Sequence, residues 1–320
     1  MNAVLKRKIL LLFIILFLSI IIGVIKGSFN LSLPELLSEE NRQILYLRLT
    51  RVLLAMAAGS GLAVSGVALQ AILRNPLAEP YLLGTSSGAG LGAAIAIIIG
   101  ISSIYLPFAA FIGAVLSIIL VYAIAKQGSK VTVQSLILSG VIVSIALSAV
   151  ITFLISVSGN EALHGLLWWL WGSLQVYDLK LLFIVSAIVF LGIITISMLA
   201  QDLNAISIGE EEAIHLGIKV ETINKILILV TSLITASLVS ICGIIGFVGL
   251  IIPHIMRNVF GPDHRVLIPA ACIGGAAFMV ICDTLSKTIL PPLEIPVGVI
   301  TALIGAPVFI ILLKRGQRIK

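Results

Sequence analysis

The chain has 320 residues, 60% of them hydrophobic and 11% charged, with a formal net charge of +6. Soluble domains run at roughly 45–50% apolar and about 25% charged residues, so these proportions exclude an ordinary soluble globule and indicate a polytopic membrane protein. The basic residues lie scattered at the ends of apolar segments, which excludes a nucleic-acid-binding face.

Apolar runs near 20 residues predict spanning helices, since barrel strands need only about 10 residues. Ten spans are expected, at 9–25, 52–73, 82–100, 104–125, 133–155, 180–201, 223–242, 243–260, 266–285 and 295–313. Lys6, Arg7 and Lys8 precede the first run as in a signal peptide, but no A-x-A site follows, so it reads as a spanning helix. The third and eighth spans are expected to be short or partly irregular. Between the seventh and eighth, Cys242 to Gly246 carries no charge and fits one long hairpin or a re-entrant turn equally.

Small residues recur every four positions at Ala57, Gly61 and Ser65 and at Gly84, Gly88 and Gly92, a spacing that lets helix backbones approach closely. The run Gly88–Ala94 lacks a full G-x-G-x-x-G and has no preceding strand, so a dinucleotide loop is rejected. Arg48 and Arg51 share one face at the outer end of the second span, where they could simply anchor the helix to headgroups. Residues 161–175 are too short to span and carry Trp168, Trp169 and Trp171, which suits a short helix lying at the outer interface.

The stretch 203–218, LNAISIGEEEAIHLGI, is an acidic island between apolar runs. Glu210, Glu211 and Glu212 cannot rest in hydrocarbon, where a charge costs about 2.5–3.5 kcal/mol at a helix centre. Ser207 and Glu210 form an S-x-x-E capping box, the glutamates fill the first turn, Ala213, Ile214 and Leu216 begin an apolar face, and Gly217 can end the helix. A plain solvated loop helix is the alternative.

Fourteen of the twenty Lys and Arg residues fall on one side when the N-terminus is placed inside, which predicts an N-in/C-in topology with the acidic island cytoplasmic. No Gly-Lys dipeptide is present, hence no P-loop, and HExxH does not occur. Cys242, Cys272 and Cys282 lie in apolar runs without metal spacing and read as buried free thiols. His254, near Arg257 at the inner end of the eighth span, reads as a packed residue. Asp283 and Glu294 are expected at segment ends, and span interiors hold almost no carboxylates, unlike carriers that couple to protons or sodium. A polytopic protein with no engine and a charged cytoplasmic helix implies an engine on another subunit.

Several blocks, in order, resemble the FecCD-type permeases of ABC importers for iron-siderophores, haem and vitamin B12. They are RLTRVLLAMAAGSGLAVSGVALQ at 48–70, NPLAEPYLLGTSSGAG at 75–90, LSGV at 138–141, WGSL at 171–174, ISIGEEEAIHLG at 206–217, GFVGLIIPHIMRNVFGPDHR at 246–265 and EIPVGVITALIGAPVFIILL at 294–313. The resemblance implies an all-α fold in a single permease domain over 1–320, with ten helices, a second copy as partner and an inverted repeat. It implies two cytoplasmic ABC ATPase subunits carrying ATP and Mg, an extracytoplasmic binding protein, and a multi-pass location in the cell membrane. No cofactor or metal is expected on the chain itself, nor enzymatic activity of its own.

Residue by residue, the resemblance assigns ATPase coupling to Ser207, Gly209, Glu210, Glu211, Ala213, Leu216 and Gly217. Asn75 and Leu77 match a cytoplasmic gate, with Gln134, next to Val133, on its other side. Arg48 and Arg51 match a docking pair for the binding protein, and Lys287 falls at a third docking position where arginine is usual, a departure that weakens bidentate docking there. The implied substrate is an iron chelate, siderophore or haem, moved by alternating access; cobalamin is the second choice, and a self-contained secondary transporter is the alternative of another class.

Overall fold

The computed structural model describes residues 3–29, 31–127, 130–175 and 178–317. Its helices, in chain order, are α1 (Ala3–Ile25), α2 (Leu33–Leu36), α3 (Arg42–Ile72), α4 (Thr85–Ile98), α5 (Leu106–Ala125), α6 (Val133–Val157) and α7 (Asn160–Leu170). There follow α8 (Leu179–Met198), α9 (Ala200–Ile208), α10 (Glu210–His215), α11 (Val220–Cys242), α12 (Val248–Phe260), α13 (His264–Thr288) and α14 (Val297–Gln317). Single 3₁₀ turns occupy Glu39–Asn41 and Pro80–Leu83. A two-residue antiparallel strand pair, β1 (Lys126–Gln127) with β2 (Lys130–Val131), closes the turn between α5 and α6, a small exception to the all-α expectation.

Among the described residues, seven helices, α1, α3, α5, α6, α8, α11 and α13, are long and apolar enough to cross a bilayer, and α4, α12 and α14 complete the ten expected elements. With 14 and 13 residues, α4 and α12 are each about 20 Å long, short of the roughly 30 Å of a hydrocarbon core. The helices begin at 85 and 248, later than the predicted 82 and 243. Pro76, Pro80 and Gly84 interrupt the approach to α4, and Gly243 and Gly246 the approach to α12. The uncharged boundary is therefore an irregular turn, not one long hairpin. In the other direction, α3 runs to 31 residues, starting ten residues before the expected 52.

The core is organised on α3, buried almost throughout its inner two-thirds, with α1, α8, α11, α12 and α13 packed around it. Where α3 crosses α13, a Cβ on Gly59 would run into the carbonyl oxygen of Gly275, and one on Gly275 into that of Gly59. This pair was not among the expected spacings. The expected Gly88 and Gly92 do form the α4–α5 seam, facing the carbonyls of Gly113 and Ala109. Gly61 packs against Leu238, Ile234 and Val189 side chains.

The tryptophan-bearing stretch folds as α7. Trp168 and Trp171 are substantially exposed, in edge contact at 6.0 Å. Leu166 and Leu174 are fully buried, and the Ser173 N–H donates to the Cys242 carbonyl at 2.8 Å. The helix is thus an interfacial element whose end closes the break before α12.

Gly275→Val should separate α3 from α13 and abolish folded yield, since overpacking costs about 1–3 kcal/mol even where neighbours can relax. Gly159→Ala, with nothing within 4 Å of its new Cβ, should leave melting temperature unchanged. Size-exclusion profile and thermal melting check both.

Candidate coupling and gating site

The acidic island is two helices. Chain extended at Gly209 separates α9 from α10. Ser207 lies inside α9, where its hydroxyl donates to the Asn204 carbonyl at 2.8 Å, so the expected Ser207–Glu210 capping box does not form. The reason is that α9 continues from Ala200 through Ile208, which places Ser207 inside a helix and not at the start of one. Gly209 occupies the cap position instead, and a Cβ there would collide with the Glu212 carboxylate. The glutamates do open α10, on the favourable end of its dipole. Ala213 is fully buried against Ala205, Ile206 and Val220. Gly217, with φ 82°, ends the element as expected, and Ile218 N–H returns to the Ala213 carbonyl at 3.1 Å. Ile208, Ile214 and Leu216 are left 74%, 60% and 70% exposed, a large apolar share for a segment this acidic.

The first of the two helices is firmly held. The Asn204 amide donates to Asp263 Oδ1 at 2.8 Å, and its oxygen accepts from the His264 backbone N–H at 2.8 Å. Asp263 also caps α13 and chelates the Arg265 guanidinium, with Nη2 to Oδ2 at 2.7 Å. Hydrogen bonds from Arg265 and Asn204 hold the Asp263 carboxyl well below the usual carboxylate range.

On the same side, α3 ends in a tight turn. Arg74 takes a left-handed conformation, φ 45°, where glycine is usual and a side chain costs about 1–2 kcal/mol. Asn75 N–H donates back to the Gln70 carbonyl, and Asn75 Oδ1 accepts from the Leu77 N–H at 2.9 Å. Buried Gln70 reaches the carbonyls of Ala78, Gly249 and Leu250, each at 3.4 Å, and accepts from Arg257 Nη2 at 3.2 Å. Across from this turn, Thr132 and Ser135 form the capping box that starts α6 beside Gln134. Asn75 and Gln134 line one cavity of about 870 Å³, together with Arg74, Glu210 and Ile214. The two sides of the expected gate and the coupling segment therefore meet in one place. Leu77 is half-exposed and stands outside that lining.

The basic residues at the opposite end are engaged internally. Arg48, 7% exposed, donates to the carbonyls of Val24 at 3.1 Å and Phe29 at 2.8 Å, closing the end of α1. Arg51 Nε meets Asp283 Oδ1 and its Nη1 meets Glu294 Oε2, both at 2.7 Å. Lys287, 3% exposed, lies 2.7 Å from Asp283 Oδ2. Arg48 and Arg51 thus do not present a shared exposed face, and Lys287 is covered. Asp283 lies five residues before the end of α13 and is buried there as the counter-ion of two cations. A neutral cluster is the only inexpensive way to place these charges out of water.

Residues 11–315 match the model of the FecCD transport family. The chain belongs to the FecCD transport family. It is 42% identical to a cobalamin import system permease of Halobacterium salinarum, over 84% of this chain and 72% of that protein. It is 33% identical to a hemin transport system permease of Yersinia pestis, over 99% of each. A solved chain of a metal-chelate type ABC transporter in an inward-facing conformation superposes with a TM-score of 0.89 at 33% identity, covering 97% of this chain and 99% of that one. The FecCD chain is accordingly a permease subunit of an ABC importer for metal chelates, haem or B12, and resides in the plasma membrane.

Several residues that hold this FecCD site together carried no signal of role in the sequence. Glu79 accepts from the Phe247 N–H, and the Tyr81 hydroxyl accepts from the Ile245 N–H at 3.2 Å, so the leader of α4 holds the leader of α12. Gln70 and Asn204 are single polar residues in otherwise apolar or mixed stretches, legible only once their partners are known. Asp263, preceding a helical run, was open to reading as a helix cap. His254 packs edge-on against Phe309 at 6.5 Å, as a packed histidine should.

Asp283→Ala should lower folded stability by about 3–5 kcal/mol, because Arg51 and Lys287 would lose the charge that compensates them. Asp283→Leu combined with Lys287→Leu should be milder; thermal melts of the three proteins order them. Asp263→Asn should lower the melting temperature at pH 7, and the gap to wild type should begin to close below about pH 4 and keep closing as pH falls toward the depressed folded pKa. A depressed folded pKa stabilises above the unfolded value, near 4, and that contribution disappears on protonation.

Proposed function

We propose that this permease moves an iron chelate, a siderophore complex or haem, by alternating access between two copies of the chain, driven by two ABC ATPase subunits and supplied by a binding protein. The observation that carries this reading is the convergence of α10, Asn75 and Gln134 on one cavity. A helix that meets an ATPase beside the residues that close a path is what alternating access requires.

The coupling surface is the exposed side of α9 and α10, with Ile208, Ile214 and Leu216 as its apolar centre and Glu210 and Glu211 at its rim. Ser207 supports α9 from within, Gly209 gives the joint, and Ala213 and Gly217 fix the shape of α10. An apolar centre with a charged rim is the usual anatomy of a specific contact. Exposed apolar faces on α6, including Leu138, Ile142 and Ile145, offer area for the second copy within the bilayer. The binding protein would meet the outer ends of α3 and α13, where Arg51 and its partner Glu294, 13% and 27% exposed, are the accessible part of the cluster.

Cobalamin is the second reading, favoured by the 42% identity to the Halobacterium permease. A Bacillus subtilis relative, 38% identical over 83% of this chain, is named as an Fe(3+)-citrate permease, which favours the first. A self-contained secondary carrier is not favoured, since Asp283 and Glu294 are already paired.

The assembled complex with its binding protein should take up haemin, ferric citrate or cyanocobalamin in proteoliposomes only with ATP inside; uptake driven by a proton or sodium gradient without the ATPase would reject the reading. Glu210→Lys with Glu211→Lys should reduce co-purification of the ATPase and cut uptake at least tenfold. Full assembly and full uptake in that variant would remove α10 from the coupling surface.

A further inference from the structure

We propose that Arg74 is a positioning residue that carries displacement of α10 to the Asn75–Leu77 turn. The inference rests on the coupling reading above and adds the intrachain link that reading lacks. The two helices of the coupling segment are held very unequally. Asn204 ties α9 to Asp263 and His264 by two 2.8 Å hydrogen bonds. The six-residue α10 has Ala213 as its buried residue, and Gly209 separates it from α9. On one flank α10 borders open space, because Glu210 and Ile214 line the cavity of about 870 Å³. A partner pressing on Ile214 and Leu216 would move α10 and leave α9 in place.

From α10 to the gate turn, among the described residues, one ion pair is made: Arg74 Nη2 to Glu210 Oε1 at 3.7 Å. At that separation it is a charge contact without a hydrogen bond, and both side chains are close to half-exposed. Such a contact can lengthen, shorten or break without unfolding anything, which suits a link that must act in every cycle. Arg74 is also the residue of the α3 terminus with the strained backbone, at φ 45°. Its neighbour Asn75 holds the turn through its side chain, from Oδ1 to the Leu77 N–H. A pull on the Arg74 guanidinium therefore acts on a backbone that already stores strain, directly at the residue that shapes the turn. Gln70 and Arg257 hold the far side of the same turn, so movement is confined to residues 74–77.

Two measurements test this. In the full-length permease, diluted with unlabelled chain, spin labels at Leu77→Cys and Ile214→Cys report the distance between turn and α10. The wild-type chain and Arg74→Lys should give a narrow distribution. Arg74→Gly and Arg74→Glu should broaden it, and Arg74→Glu with Glu210→Arg should narrow it again. Arg74→Gly matters because glycine relieves the left-handed strain, so it should melt no lower than wild type while still losing the link. In proteoliposomes of the assembled complex, with haemin, ferric citrate and cyanocobalamin as probes, Arg74→Gly and Arg74→Glu should lower uptake per ATP hydrolysed by about fivefold, the most a half-exposed pair accounts for. ATP hydrolysis itself should persist. Unchanged distance distributions in Arg74→Gly and Arg74→Glu, or a charge swap no better than Arg74→Glu alone, would overturn the inference. If wild type takes up none of the probes with ATP, the substrate reading fails while the label distances still decide the link.

Discussion

A peptide chain that leaves its helix inside a bilayer must have its hydrogen-bonding groups met by protein, because hydrocarbon offers none. This chain does so twice, before α4 and before α12, and much of its architecture follows from that constraint. The two irregular leaders lie against one another. A Cβ on Gly66 would strike the Gly249 carbonyl, and one on Gly249 would strike Pro80. Glu79 and Tyr81 satisfy the N–H groups of Phe247 and Ile245, and Gln70 reaches the Ala78 carbonyl of the first leader and the Gly249 and Leu250 carbonyls at the start of α12. Phe247 itself is left-handed at φ 70°, an expense tolerated where the surroundings fix it. With these contacts in place, α3 can serve as the central post, and the turn after it is shaped by Asn75 on one side and held by Gln70 on the other.

The charges follow a similar rule at the outer end. Arg51, Asp283, Lys287 and Glu294 gather as two cations and two anions, and the Ser28 hydroxyl adds a hydrogen bond to Glu294. The cluster joins α3, α13 and the approach to α14, while Arg48 joins α3 to the end of α1. Such a group adds little net stability over an apolar one, but losing any member is costly, so it fixes which helix ends belong together. Basic residues that a motif match places on a docking face are, in this arrangement, first of all structural.

What could be read from the sequence was what depends on composition and local spacing. Ten elements, two of them short, the acidic island, the interfacial tryptophan helix and the Gly88–Gly92 seam all follow from runs and periods of apolar, charged and small residues. What could not be read depends on partners distant in sequence. The Gly59–Gly275 crossing needs two helices brought together from opposite halves of the chain. The inward turn of Arg48 and Lys287 needs knowledge of α1 and Asp283. The capping box at Ser207 failed for a different reason: the local pattern was correct for a helix start, but α9 packs through Leu203 and Ile206 and extends past it. Tertiary burial overrode a capping signal worth only about 1 kcal/mol.

The division of the island at Gly209 changes what the segment can do. One continuous helix locked at Asn204 would transmit force to α13, whose N-terminus Asp263 caps. Two helices separate the tasks: α9 is part of the rigid frame, and α10 is a small lever with an apolar outer face and a single buried side chain. A lever needs a load, and the load nearest to it is the strained turn at Arg74. Since that turn is pinned on its other side by Gln70 and Arg257, a displacement carried through Arg74 is taken up by residues 74–77. The weakness of the Arg74–Glu210 contact is then consistent with its position, because a strong pair there would hold the turn in one state.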